Sequence, residues 1–339
     1  MTAIGCRVKP TKGQAMICKR SLLFSLAASA LALAAPSPAT AQTYPDKPIR
    51  IIVAVAAGGP MDTMARAVAQ QMQTRLGQPV VVENRPGAGT TIGAKAVVNA
   101  EPDGLTLLWG TLSMVAIAPV LYKDLDFDPK TLVPVAMVAE FPSVMVIPPS
   151  LPTNTMAEFI AYAKANRGKL NYGGSLGTPP QLMGAMFNKV ADLGMTYVPY
   201  RGGAPSIPDL IAGRLHMQYD ALTLLVPLIK ESKLRALAVQ TPERWPDLPD
   251  VPTLREAGFA DFPGNAWAGI MAPPGTPQAI VSKLNATTND ILRSPEARQS
   301  LDKLNVLLRP GSPQDFAAFV AKETPAWADM VRESGATAQ

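Results

Sequence analysis

Three short segments hold the residues best suited to chemistry, and all three are built to hold an anion. In the first, Ala56-Ala57-Gly58-Gly59-Pro60-Met61-Asp62, a glycine pair leads to an acid at the head of a helix. Glycine lets a backbone come close to a ligand, and the N–H groups and dipole of a helix N-terminus favour a carboxylate or phosphate. Asp62 is also placed to cap that helix, a purely structural duty. The second segment, Gly173-Gly174-Ser175-Leu176-Gly177-Thr178, joins a strand at 170–172 to the helix containing Gln181 and adds hydroxyls to a helix start. The third, Tyr200-Arg201-Gly202-Gly203-Ala204, enters another helix after Val198-Pro199, and Arg201 either pairs with a ligand or stays in solvent. Thr111, Ser113 and Asp220 follow further strands and complete the candidate set.

Catalysis finds little to use. The chain has one histidine, His216, beside Leu215 and Met217 at a strand start, where a structural role is the rule. A hydrolytic triad needs that histidine near an activated serine with an orienting carboxylate, and no nucleophile elbow is expected. No His/Cys cluster or calcium-loop spacing of acids occurs, so neither a metal site nor a cofactor is expected. Gly87-Ala88-Gly89-Thr90-Thr91-Ile92-Gly93 imitates a dinucleotide fingerprint, but Ile92 occupies the place of its third glycine. Gly93-Ala94-Lys95 lacks the Gly-Lys-Ser/Thr of a phosphate loop. That stretch is read as a turn and helix start shaping a cleft wall.

The elements that must position these loops alternate strand with helix, the pattern of an α/β protein with mostly parallel sheets. Strands are expected at 49–54, 80–83, 106–108, 133–138, 144–147, 196–199, 217–219 and 236–239. Helices are expected at 62–76, 91–100, 156–166, 180–191, 204–212, 277–293 and 314–334. In the first helix Met64, Ala65, Val68, Met72 and Leu76 recur near a 3.6-residue period, and Gly77 stops it. Prolines at Pro142, Pro148-Pro149, Pro246 to Pro252 and Pro273-Pro274 mark turns or crossings rather than element interiors. One lobe is expected from 42–140 with 263–339 and a second from 141–262, hinged near 133–141 and 267–272. Ligands of such folds sit between lobes, at the C-terminal ends of strands.

The first 41 residues read as an export signal. Arg7, Lys9, Lys12, Lys19 and Arg20 form a positive n-region, residues 21–35 an apolar h-region, and Ala39-Thr40-Ala41 a cleavage site. Met16 offers an alternative start. About 15 apolar residues are too few to span a bilayer comfortably. The whole chain has 31 Lys+Arg against 26 Asp+Glu; five of the bases and none of the acids lie in the leader, leaving 26 against 26 in the mature chain. A nucleic-acid or polybasic membrane partner thereby loses its support. Both cysteines, Cys6 and Cys18, leave with the signal. A mature chain of 298 residues (339 less 41) buries enough core to need no disulfide in an oxidising periplasm.

The chain as a whole resembles the Bug-type extracytoplasmic solute receptors, the binding components of tripartite tricarboxylate transporters. The resemblance covers essentially all of the mature protein. It rests on YPDKPIRIIV with GGPMDTMAR, then QPVVVENRPGAGTTIGA, PDGLTLLWG and APVLYKDLDFDPKTLVPVAMVAE. It continues through AYAKANRGKLNYGGSLGTPPQLMG, VPYRGGAPSIPDLIAGRL, LRALAVQTPERWPDLPDVPTLREAGF, WAGIMAPPGTP and SPQDFAAFVAKE. It implies a type II periplasmic-binding-protein fold, with two lobes of mixed, mostly parallel sheet flanked by helices, closing as a monomer around a small organic acid. One carboxylate is then held largely by backbone groups and ordered waters, at positions corresponding to Gly58, Gly59, Asp62, Gly174, Ser175 and Thr178. The partner implied is a membrane permease; a ligand-dependent sensor is the alternative partner.

The departures from that pattern bear on the ligand. The family commonly has Pro-Pro before the first glycines, and a glycine followed by a small or hydroxyl residue after them. Here Ala56-Ala57 precede the glycines and Pro60-Met61 follow, and Gln181 stands where the family usually has histidine. Pro60 removes a donor and Met61 adds a flexible apolar wall. These changes favour a ligand with an apolar or aromatic body, terephthalate-like, with a short aliphatic dicarboxylate left open.

Overall fold

A computed structural model describes residues 44–87, 90–122, 125–175, 177–259, 262 and 264–334. The signal segment and both cysteines lie outside the described residues, as do Ala88, Gly89 and Leu176. Two mixed sheets form the frame. The first has six strands in the order β11 (Leu307–Leu308), β4 (Val133–Phe141), β10 (Ala266–Ala272), β3 (Thr106–Thr111), β1 (Ile49–Val53), β2 (Val80–Asn84). The second has five in the order β7 (Thr196–Tyr200), β6 (Asn171–Ser175), β8 (Met217–Ala221), β5 (Ser143–Ile147), β9 (Arg235–Val239). Helices flank both.

The strand β1 (Ile49–Val53) lies parallel to β2 (Val80–Asn84) and β3 (Thr106–Thr111). Its Ile49, Ile51, Ile52 and Val53 are all buried, the near-continuous apolar run of a strand covered on both faces. The helix α1 (Pro60–Leu76) packs Met64, Ala65, Val68 and Met72 into that core, as the spacing predicts. Gly77, at φ 70°, ends it by donating its N–H to Gln73 O, a left-handed cap that suits glycine. The helix α2 (Thr91–Val98) lies so close to β1 that a Cβ on Gly93 would come within 2.6 Å of Ala54 Cβ.

After β3 the chain makes a π-helical turn (Ser113–Ile117) and the short α3 (Ala118–Leu121), neither expected from sequence. It then runs through β4 (Val133–Phe141) and, across Pro142, straight into β5 (Ser143–Ile147) of the second sheet. That sheet continues with α4 (Met156–Ala165), β6 (Asn171–Ser175), α5 (Pro179–Val190) and β7 (Thr196–Tyr200). Next come a 3-10 turn (Ala204–Ser206), α6 (Ile207–Ile211), β8 (Met217–Ala221), α7 (Leu222–Lys230) and β9 (Arg235–Val239). The helix α7 escaped sequence reading because Pro227 sits inside it. The chain returns to the first sheet as β10 (Ala266–Ala272), antiparallel to both β3 and β4.

The two segments expected to form the hinge, 133–141 and 267–272, are therefore neighbouring strands of one sheet. The remaining elements are α8 (Gln278–Arg293), α9 (Pro295–Leu301), β11 (Leu307–Leu308) and α10 (Pro313–Ser334). Phe316, Trp327, Met330 and Val331 of α10 are buried, and its Glu333 pairs at 3.2 Å with Lys189 of α5. That exposed pair adds about 0–1 kcal/mol; burial of the aromatic residues holds the helix.

Candidate functional site

The parallel strands set the site. A cavity of about 560 Å³ opens where β1, β2 and β3 of one sheet, and β6, β7 and β8 of the other, reach their carboxyl ends. This is where α/β sheets hold ligands, because loops diverge there and helix N-termini converge. Val55 and Ala56 line it after β1, Pro86 and Gly87 after β2, and Thr111, Leu112 and Ser113 after β3. From the second sheet come Gly177, Thr178, Pro179 and Pro180, then Arg201 and Asp220, while Phe141, Ser143 and Trp267 stand at the two chain crossings.

Of the residues singled out by sequence, Pro60, Met61, Thr111, Ser113, Thr178, Arg201 and Asp220 are brought together around this cavity. Gly58, Gly59, Asp62, Gly174, Tyr200 and Gly202 are not among its described walls. Asp62 is buried, its Oδ2 accepting the Gly58 N–H at 2.9 Å and Arg66 Nε at 3.0 Å, its Oδ1 accepting Asn84 Nδ2 at 2.8 Å. Burial alone would raise its pKa, but these three donors together hold the carboxyl below the ordinary range. The glycine turn is thus closed on the acid: Gly58 takes φ 87° and Gly59 is the N-cap. Asp62 serves as the clasp that shapes the loop presenting Pro60 and Met61.

The second segment differs from its expected form. Gly173 and Gly174 belong to β6 rather than to a loop, and side chains there would meet Leu215 and Gln181. A Cβ on Gly174 would stand 3.1 Å from the Gln181 Cα, and the Gly174 carbonyl accepts the Tyr197 hydroxyl at 3.0 Å. Ser175 ends the strand, with its side chain outside the described residues. Gln181 is buried, its Oε1 accepting the Gly177 N–H at 3.4 Å. Tyr200 ends β7 and donates to Asp209 Oδ2 at 2.5 Å, in a group completed by Arg214. Burial, reinforced by the Asp209 carboxylate, pushes the Tyr200 phenol up to about 12.

One sequence expectation needs correcting outright. Gly173-Gly174-Ser175-Leu176-Gly177 does spell G-x-S-x-G, and it falls at a strand-to-helix turn. Strand pairing nonetheless separates it from the histidine. In the β6–β8 register Tyr172 lies opposite Met217, so His216 stands at the far end of β6, about four residues or about 13 Å from Ser175. The His216 Nδ1 accepts the Asn171 N–H at 3.0 Å, and burial lowers its pKa, so it sits neutral as a strand-edge acceptor. Among the described residues no cluster of His, Cys, Asp or Glu suits a metal ion.

Asp220 is the unusual group of the site. It is 8% exposed at the end of β8, and burial lifts its pKa from 3.8 to about 6 against the pull of two donors, the Ala221 N–H at 2.8 Å and Gln218 Nε2 at 3.0 Å. Gly203 closes over it: any Cβ there would collide with the carboxylate, although the backbone is ordinary (φ −69°, ψ −44°). Gly203→Ala is accordingly expected to cost about 2 kcal/mol through overpacking alone. The neighbouring Gly202→Ala, whose Cβ meets only Pro205 Cδ at 3.6 Å, should stay within about 0.5 kcal/mol. Denaturant melts of the pair check this, and equal losses would contradict it.

Sequence reasoning missed Phe141, Ser143 and Trp267. Both aromatic residues lie in segments recognised as crossings, and an aromatic residue where the chain passes between sheets was the signal available.

A two-sheet α/β frame with a cavity at converging strand ends defines the class of solute-binding proteins. The comparisons narrow it. The family described as tripartite tricarboxylate transporter family receptor (TctC) matches residues 64–336, and the chain belongs to that family. It is 34% identical to the protein BugT of Bordetella pertussis over 88% of this chain and 93% of that one. Among solved structures it is similar to the periplasmic binding protein BugD, with 33% identity, a TM-score of 0.77 and coverage of 87% of this chain and 100% of that one. It is likewise similar to MatC of Rhodopseudomonas palustris with bound malate, at 35% identity, TM-score 0.76, and coverage of 85% and 100%. A further R. palustris protein, with adipate, gives 33% identity, TM-score 0.79, and coverage of 87% and 99%. Receptors of this family are periplasmic solute-binding proteins.

Proposed function

We propose that the chain is exported, cleaved near Ala41, and acts in the periplasm as the receptor that captures a small organic carboxylate and hands it to a tripartite tricarboxylate-type permease. The two lobes are residues 42–140 with 263–339, and 141–262, closing over the ligand as a monomer. One observation carries the reading: a single cavity of about 560 Å³ drawn from the carboxyl ends of strands in both sheets. Thr111, Ser113, Thr178 and Arg201 offer hydroxyls and one cation to an anion, and bridging water extends their reach. Pro60, Met61, Phe141, Pro179, Pro180 and Trp267 form apolar walls that suit a ligand with an aromatic or extended hydrocarbon body. Gly58, Gly59, Asp62, Gly174, Ser175, Tyr200 and Gly202 frame the loops that make these contacts.

Malate in MatC and adipate in the second R. palustris protein support a carboxylate as the ligand class. A thermal-shift screen of carboxylic acids on the mature chain tests the reading. A true ligand at a hundredfold excess over Kd should add about 2.7 kcal/mol of stability. Stabilisation by citrate or aspartate with none by aromatic acids would remove the apolar-body reading; flat responses to every acid would remove the receptor reading.

A further inference from the structure

Among the described residues the cavity carries one side-chain cation and one side-chain anion, Arg201 and Asp220. No ion pair within 4.0 Å joins Asp220 to Arg201 or to any other described cation. A carboxylate has about four lone-pair directions, and Asp220 uses one on each oxygen, for Ala221 N–H and Gln218 Nε2. The support beneath is itself buried and fixed: Gln218 and Ser206 are both fully buried, with Ser206 Oγ 2.7 Å from Gln218 Oε1. Gly203 packs against the carboxylate. Each oxygen keeps further accepting capacity, and Asp220 lines the cavity.

We infer that Asp220 selects the ligand's second polar group, so that the receptor takes a monocarboxylate bearing a hydrogen-bond donor, an ammonium or hydroxyl, and rejects a second carboxylate. This rests on the carboxylate-receptor reading and specifies its substrate class. A donor supplies the hydrogen bond that the buried charge lacks, and bonds to charged groups are the stronger kind. A second anion in the same low-dielectric space meets a like charge with no cation between them. The upward pull of burial on the Asp220 pKa, to about 6, agrees with a carboxylate whose charge is under-compensated. Arg201 is the described side-chain cation of the cavity and takes the ligand's carboxylate.

The test is isothermal titration at pH 8 with two size-matched series: 6-aminohexanoate, hexanoate and adipate; and 4-hydroxybenzoate, benzoate and terephthalate. Within the series that fits the cavity, the donor-bearing acid should bind about tenfold or more tightly than the bare acid, with the dicarboxylate weakest. In Asp220→Asn the donor advantage should shrink and the dicarboxylate should gain. Tightest binding of adipate or terephthalate by the unaltered protein overturns the inference, as does a ranking unchanged in Asp220→Asn. The ranking on the unaltered protein decides the matter even without a folded variant. Acids that bind without donor preference overturn the role of Asp220 alone, whereas no binding in either series overturns the receptor reading with it.

Discussion

Trp267→Ala is expected to lower stability by about 4 kcal/mol, the range for removing a buried tryptophan, and to widen the ligand range toward bulkier acids. Trp267 is 1% exposed on β10, where it lies opposite Glu140 of β4, at the crossing between the sheets. Its ring meets Phe316 edge-on at 5.3 Å and 87°, and Phe319 at 6.4 Å and 82°. Such pairs contribute about 0.5–1.5 kcal/mol beyond the area they bury. Trp267 also lines the cavity, so one residue both anchors α10 to the first sheet and borders the candidate site. Truncation leaves a void that strands β4 and β10, held by their ladder, cannot collapse to fill. Urea denaturation measures the first effect and titration with larger aromatic acids the second. A loss below about 1.5 kcal/mol, or unchanged size selection, would show that the indole is not the shared element described here.

The second large effect depends on pH. Asp220→Asn should favour the ligand-free protein more at pH 8 than at pH 4. The folded-state pKa is raised, from 3.8 to about 6, chiefly by burial. The native protein therefore binds the proton more tightly than the unfolded chain, and stability falls as pH rises between those values. Above about pH 7 the ionised carboxylate costs about 3 kcal/mol, and by pH 4 less than about 1 kcal/mol. Asparagine removes that cost but turns one accepting oxygen into a donor facing the Ala221 N–H or Gln218 Nε2, a penalty of about 1–3 kcal/mol that is the same at both pH values. The pH-dependent part, about 2 kcal/mol, corresponds to about 4 °C in Tm for a chain of this size. Thermal melts of both proteins at pH 8 and pH 4 give the comparison. A shift equal at both pH values would mean that the charge is already compensated. A residue that weakens the empty protein and lines its cleft fits a group whose purpose is binding.

Much of the frame was legible because period and punctuation agree. The run Ile49 to Val53, the stripe of Met64, Val68 and Met72, and the stop at Gly77 state their roles locally, and the structure places them accordingly. The helix at Leu222–Lys230 was not legible, since Pro227 reads as a breaker until tertiary packing overrides it. The strand Ala266–Ala272 looked like a crossing because its neighbours β3 and β4 lie more than a hundred residues away in the chain, and pairing at that range leaves no local trace.

The site divided in the same way. Thr111, Ser113, Thr178, Arg201 and Asp220 follow strands, and position after a strand can be read from one sequence. Glycines read as ligand-facing proved ambiguous, because a missing Cβ serves close packing as well as close approach. Gly174 makes room for Gln181, and Gly203 for Asp220. Only the three-dimensional neighbours separate the two uses. The G-x-S-x-G run shows the same limit from the chemical side: its residues match, and the strand register denies it a histidine.

Hydrogen–deuterium exchange on the mature chain, with and without the tightest carboxylic acid from the screen, tests the central claim most directly. Ligand-dependent protection is expected in 55–61, 86–87, 90, 111–113, 177–180, 201–203 and 220–221, in loops of both sheets together. Protection confined to one sheet's loops, or lying elsewhere on the surface, would contradict a single acid held between the two.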